Sequence, residues 1–111
     1  MSDLATKHCA PCTGDTPRVA PPEVTRRLTT LPGYSADLLA GSISKTYSFD
    51  DYYETIAFVN AVAYVAHVED HHPELAVSYN RCTVTYSTHA IGGLSENDFI
   101  CAAKIEALVR R

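Results

Sequence analysis

The sequence predicts an α+β domain of two layers, a four-stranded antiparallel sheet with helices on one face, in the order α-β-β-α-β-β-α. Three observations carry this. The stretch from Asp50 to about Asp70 keeps an apolar pattern too long for a strand, with acids in its first turn. A pair of short, strand-like segments stands on each side of it. Proline or glycine marks most of the boundaries: Pro21-Pro22, Pro32-Gly33, Gly41, Pro73 and Gly92-Gly93. Hairpins alternating with helices imply an antiparallel sheet, since consecutive strands joined by tight turns pair with each other.

Residues 1–20 lack periodicity and are rich in Pro, Thr and charge, which predicts a flexible N-terminal arm ahead of a single domain over 21–111. Pro21-Pro22-Glu23 opens a helix of about 22–31, with Val24, Leu28 and Leu31 on one stripe. Strands over Tyr34–Leu39 and Ser42–Phe49 surround Ala40-Gly41. In the second, Ile43, Lys45, Tyr47 and Phe49 alternate with Ser44, Thr46 and Ser48, Lys45 being the exception to an apolar face. In the long helix, Tyr53, Ala57, Ala61, Tyr64 and Val68 make one stripe. Pro73 disfavours a helical residue before it, so the helix should end near His71-His72. Ala76–Tyr79 and Arg81–Ser87 form the second hairpin, with Cys82, Val84 and Tyr86 on one face. Its turn is Asn80-Arg81, where Asn tolerates positive φ. Ser95-Glu96-Asn97-Asp98 reads as a capping box opening a last helix over about 96–110.

Composition narrows the function. A chain of 111 residues fits one domain, and 46% hydrophobic with 20% charged residues is ordinary for a globular protein. A formal net charge of −4 argues against a nucleic-acid partner, because phosphate binding concentrates Lys and Arg. No window approaches the apolar length of a membrane span. The opening MSDLATKHCAPC lacks a basic region followed by an apolar run, so the expected location is cytoplasmic. Cys9 and Cys12 form a CxxC beside His8, open to metal or redox use or to a mobile tail. No second CxxC follows at zinc spacing, and Pro11 stands between the two thiols. Cys82 and Cys101 fall in apolar segments and read as core.

The histidines hold the chemistry. His67 and His71, four apart, share a helix face, and His89 could complete a three-ligand metal set. Position 68 is Val, however, where a zinc hydrolase of the HExxH type carries its Glu. His71-His72 could equally cap the helix end, where exposed carbonyls attract basic side chains. His89 closes a strand whose Thr83, Thr85 and Ser87 lie opposite Val84 and Tyr86, so it could face the other two across a cavity. Three converging imidazoles suit a reaction that needs both proton donation and proton removal near neutral pH. No Ser or Cys comes with an oxyanion-hole signature, and no glycine-rich phosphate loop precedes a helix. From the residues alone, the acid-base site, the metal site and the helix cap remain open.

The set His67, His71-His72-Pro73, Tyr79, His89 and Asp98 resembles the signature of the pterin-4a-carbinolamine dehydratases. So do LPGY, the segment Phe58–Ala66, YNRCTVTYSTH and GGLSENDFICAAKI, and the likeness covers about residues 20–110. The resemblance implies a hydro-lyase that dehydrates 4a-hydroxytetrahydropterin to the quinonoid dihydropterin, recycling the pterin of aromatic amino-acid hydroxylases. It implies no cofactor and no metal. It makes His71, His72 and His89 the catalytic trio, with His71 and His89 transferring protons and His72 holding the pterin. His67, where the family often has Glu, orients His71 or faces solvent. Asp98 caps its helix and acts on the pocket indirectly, Pro73 shapes the turn, and Tyr79 packs. Tyr34 stands where many members have Trp, as a wall of the pterin pocket. The implied partners are the pterin, further copies of the chain as a dimer or tetramer, and a hydroxylase, with no nucleic acid or membrane. Two rivals stand beside this: a dimerisation module like that of animal members, which partner a homeodomain transcription factor, and a His-ligated metal hydrolase.

Overall fold

The computed structural model describes residues 3–109. Arg110 and Arg111, within the expected last helix and domain, lie outside that range, as do Met1 and Ser2 of the expected arm. The helices are α1 (Pro21–Leu28), α2 (Tyr52–Glu69) and α3 (Glu96–Val109), and the strands are β1 (Ser35–Asp37), β2 (Ser42–Ser48), β3 (Glu74–Val77) and β4 (Arg81–Tyr86). Short 3-10 turns cover Asp3–Thr6 and His89–Ile91. The four strands pair antiparallel in the order β1-β2-β4-β3. This is the expected α+β architecture.

Alternation along the strands builds the core. Ile43 and Tyr47 of β2 and Cys82, Val84 and Tyr86 of β4 point into one cluster with Val24, Phe58, Val62, Phe99, Ala102 and Ile105 from the helices. On the other face of the sheet, Thr46 and Thr83, a directly paired couple, join their hydroxyls at 2.7 Å. Lys45, the odd residue on the inward face, is accommodated by its length. Its ammonium reaches Glu106 and the Pro32 carbonyl, both at 2.7 Å, and lies 4.8 Å from the centre of the Tyr47 ring.

Several ends differ from the expected ones. α1 stops at Leu28 because the Thr29 and Thr30 hydroxyls turn back to the carbonyls of Arg26 and Arg27; Leu31 is buried all the same. β1 stops at Asp37, whose side chain and carbonyl accept from the Ala40 and Gly41 amides and close the turn. Gly41 has φ +70°, and a Cβ there would sit 2.7 Å from the Gly93 Cα. The β1–β2 turn therefore touches the loop just beyond His89, an approach only glycine permits. The second hairpin turns over Ser78–Asn80, with the Ser78 amide donating to the Arg81 carbonyl, and β3 begins at Glu74 rather than Ala76. Asn80 does not take positive φ: Asp70 is the one non-glycine among the described residues that does.

α2 corrects the sequence reading in two ways. Its N-terminus is capped as its acids suggest, with Asp51 accepting from the Glu54 amide at 2.8 Å. The buried face, however, is Thr55, Phe58, Val62 and Glu69, while Tyr53, Tyr64 and Val68 of the anticipated stripe are exposed. This helix is apolar nearly all round, so periodicity cannot choose its inward face. The choice falls to Phe58, which packs against Phe49 and Tyr47 at ring distances of 5.0 and 4.7 Å. At the other end the helix stops at Glu69, before the histidines. Asp70, left-handed at φ 52°, donates to the His67 carbonyl, and the His71 amide donates to the Ala66 carbonyl at 3.2 Å. His71 and His72 follow the helix instead of occupying its last turn.

The described part of the expected flexible arm lies along α3 with specific contacts. The Cys9 amide donates to Glu69 Oε1 at 2.7 Å, and His8 Nδ1 meets Glu69 Oε2 at 2.9 Å. The Asn97 side chain bonds both backbone groups of Ala10, and Lys104 donates to the Ala5 carbonyl. Burial pushes the Glu69 carboxyl up, but the Cys9 amide, His8 and Lys104 together outweigh it and hold the group below the usual carboxylate range. α3 is consequently covered on more than one side, which is why Phe99 to Ala103 are all buried.

Candidate active site

The site assembles where α2 ends, β4 ends and α3 begins. The Schellman-type turn at Asp70 fixes the backbone of His71, and Pro73 then directs the chain into β3. The His71 ring lies flat on the Tyr86 ring, with centroids 5.9 Å apart and planes 7° from parallel. His71 Nε2 meets Asp98 Oδ1 at 2.7 Å, and the Asp98 side chain is wholly buried. A carboxylate only accepts, so Nε2 carries the proton of this bond and Nδ1 is the nitrogen left to exchange one with a bound molecule.

Asp98 is held by its second oxygen. Oδ2 accepts from the Ser95 amide at 3.0 Å and from Thr88 Oγ1 at 2.8 Å. The Ser95 contact is the carboxylate half of the capping box read from the sequence. The Ser95 hydroxyl turns instead to Thr88 Oγ1, at 2.7 Å. Because the single Thr88 hydrogen goes to Asp98, Ser95 donates and Thr88 accepts. One buried carboxylate thus caps α3, orients His71 and ties down the residue immediately before His89. Asp98 acts on the site through a direct bond, not only through its helix.

The other expected residues are placed less intimately. His89 begins the 3-10 turn after Thr88 and is exposed, as are His67 and His72. Glu69, adjacent in sequence to the histidine cluster, engages the N-terminal segment instead. Tyr34 is buried just before β1, with its hydroxyl donating at 2.9 Å to that of Tyr47, whose single hydrogen goes to Glu106, and its ring edge-on to the Tyr47 ring. Burial pushes the Tyr34 hydroxyl pKa upward. Two sizeable hollows, of about 770 and 350 Å³, are lined by neither His71, His72 nor His89. Among the described residues, no three His, Cys, Asp or Glu side chains are placed to share a metal ion.

Three participants escaped the sequence reading: Tyr86, Thr88 and Ser95 in its hydroxyl role. A signal for one of them was present. Extending the inward alternation Cys82, Val84, Tyr86 by one step reaches Thr88, which is buried. Nothing local signals the stacking of Tyr86 on His71. Its hydroxyl, pushed upward in pKa by burial, is the buried side-chain polar atom among the described residues without a hydrogen-bond partner.

The fold and the His71–Asp98 pair define a class: small α+β domains presenting a carboxylate-oriented histidine at a helix end. The chain belongs to the pterin 4 alpha carbinolamine dehydratase family, whose sequence profile matches residues 17–108, and that is a family of hydro-lyases. It is 56% identical over 97% of its length to a Nitrosospira multiformis protein described as "putative pterin-4-alpha-carbinolamine dehydratase", covering 94% of that protein. A Nitrosomonas eutropha protein of the same description is 54% identical, over 98% of this chain and 96% of its own. Among solved structures, a transcriptional coactivator/pterin dehydratase from Brucella melitensis superposes with a TM-score of 0.81 at 31% identity. The match spans 85% of this chain and all of the other. A pterin dehydratase-like protein identified as a RuBisCO assembly factor in the alpha-carboxysome shares the fold at a TM-score of 0.56 and 22% identity, over 68% of this chain and 84% of that one. No helix among the described residues is long and apolar enough to cross a membrane.

Proposed function

We propose that this protein dehydrates 4a-hydroxytetrahydropterin to the quinonoid dihydropterin by histidine acid-base catalysis. The observation that carries the proposal is the 2.7 Å bond from His71 Nε2 to a buried carboxylate, which leaves Nδ1 as the nitrogen free to exchange a proton. In the reaction one proton joins the C4a hydroxyl, which leaves as water, and one proton leaves N5. No net redox change occurs, and two groups able to give and take a proton near neutral pH suffice. His71 and His89 are assigned this pair of roles, and His72 holds the pterin from the same face. Asp98, with Thr88 behind it, is a positioning residue; Pro73 supports the turn that presents His71, to which His67 contributes through its backbone carbonyl. Tyr34 braces the sheet beneath the site through Tyr47.

The test is a stopped-flow measurement with freshly generated 4a-hydroxytetrahydropterin. Water loss is expected to accelerate well above the spontaneous rate, and His89→Ala to remove most of that acceleration while the protein stays folded. A wild-type trace that follows the spontaneous rate would overturn the assignment and leave a binding role for the fold. We further propose a cytoplasmic homo-oligomer, serving a hydroxylase that consumes the recycled pterin. Support for self-association comes from α2, whose outward Tyr53, Tyr64 and Val68 are 82%, 69% and 53% exposed along one helix. Sedimentation at micromolar concentration should give a dimer or tetramer; a monomer there would sink this part.

A further inference from the structure

The N-terminal CxxC is not used by the chemistry above, yet it is built into the fold. Cys9 Sγ stands 3.4 Å from Cys101 Sγ, and Cys12 Sγ lies 2.9 Å from Asn97 Nδ2 on the preceding turn of α3. The segment between them is fixed by the Cys9 amide on Glu69 and by two bonds from Ala10 to Asn97. Two thiols far apart in sequence, Cys9 and Cys101, therefore meet on α3, and the third, Cys12, lies against the preceding turn of the same helix. Cys9 and Cys12 are half-buried and open to small solutes, whereas Cys101 is fully buried. The contact with Cys9 and its own burial push the Cys101 thiol up, and its burial keeps outside reagents from reaching it directly.

We propose that Cys9, Cys12 and Cys101 form a thiol–disulfide exchange site, oxidised by low-molecular-weight disulfides, in which Cys9 bonds reversibly to Cys101. The Cys9 thiolate attacks one sulfur of the small disulfide; that S–S bond breaks, and the departing thiolate takes up a proton. The mixed disulfide on Cys9 is then attacked by Cys101, which gives up its proton, and a second small thiol is released. Two protein thiols are oxidised and one small disulfide is reduced to two thiols. A disulfide needs its sulfurs about 2.05 Å apart, and rotation of the half-exposed Cys9 side chain closes the remaining gap. Cys12, three residues away, opens the route back: its thiolate attacks Cys9, the bond moves into the CxxC, and Cys101 takes up a proton and is freed. An outside dithiol then reduces the half-buried Cys9–Cys12 bond. The closed form staples the N-terminal segment to α3 one turn beyond Asp98.

The experiment treats the reduced full-length protein with oxidised glutathione, removes the excess, and maps disulfides by mass spectrometry on the monomer-sized band of a non-reducing gel. The expected product links the peptides carrying Cys9 and Cys101, with two thiols lost on titration and a thermal midpoint raised by about 10 °C. Cys9→Ala, a change in the half-exposed segment that leaves the core intact, should lose both the linkage and the thermal shift. Cys12→Ala should keep both but slow the return to the reduced form when limiting dithiol is added. Recovery of Cys101 as a free thiol from oxidised Cys12→Ala protein, in which the bond cannot move into the CxxC, would overturn the proposal. So would a linkage found only in a dimer-sized band.

Discussion

Replacing His71 with alanine is expected to lower kcat/KM for 4a-hydroxytetrahydropterin by about 100- to 10,000-fold, the range that a positioned acid or base contributes. The loss should fall on kcat, because the ring acts on a proton in flight more than on the bound pterin. His71→Ala also leaves Asp98 Oδ1 without its partner in a buried position. That costs about 1–3 kcal/mol, and entering water offsets part of it, since the His71 side chain is 10% exposed. Steady-state rates with substrate in excess, set beside urea unfolding, separate the two effects. His72→Ala should behave differently, raising KM with kcat nearly unchanged, as expected for a group that only holds substrate. His67→Ala should change neither much. A His71→Ala enzyme within threefold of wild type would remove His71 from the chemistry.

The contrast between what the sequence disclosed and what it hid has a physical pattern. Features set by a few adjacent residues were legible. The acids at the start of α2, and the Asp98 carboxylate of the Ser95–Asp98 box, each act within one turn of chain and bond where the sequence suggested. Features set by contacts between distant residues were not. The inward face of α2 depends on aromatic packing with β2, which a helix apolar on every side does not encode. The N-terminal segment has no periodicity, so its order comes from Glu69, Asn97 and Lys104, side chains that lie far along the chain. The end of α2 at Glu69 depends on Asp70 adopting a left-handed backbone, an uncommon choice for a residue other than glycine.

The same distinction applies to the site. The histidines were visible as residue types at suggestive spacings, but spacing left metal binding, capping and acid-base chemistry open. What spacing could not give is the set of partners His71 has in the fold: an aromatic ring beneath it and a carboxylate behind it. That arrangement is suited to a ring that keeps one orientation while its second nitrogen, Nδ1, exchanges a proton. Thr88 and Ser95 matter because they leave the carboxylate no freedom to turn away.

Replacing Asp98 with asparagine tests that arrangement most sharply, and the expected result is a large loss of rate with a small loss of stability. Asp98 accepts three hydrogen bonds, from His71 at Oδ1 and from Thr88 and the Ser95 amide at Oδ2. Asparagine has one acceptor oxygen and one NH2 group of almost the same shape. The Ser95 backbone amide can only donate, so the amide oxygen must remain on that side. The NH2 group then faces His71 Nε2, which must become an acceptor, and the proton of the neutral ring moves to Nδ1. The outward nitrogen can no longer take up a proton, and protonating the whole ring would set two donors against each other. On this argument kcat falls about 100-fold or more, while unfolding free energy drops by only about 1–2 kcal/mol, as one charge-assisted bond is weakened. Asp98→Ala, by contrast, strips all three bonds and the cap, and should cost about 2–4 kcal/mol. Nitrogen chemical shifts of the His71 ring report the tautomer directly and would not move if Asp98 only capped α3. An Asn variant that retains more than a third of the wild-type kcat would assign Asp98 to structure alone.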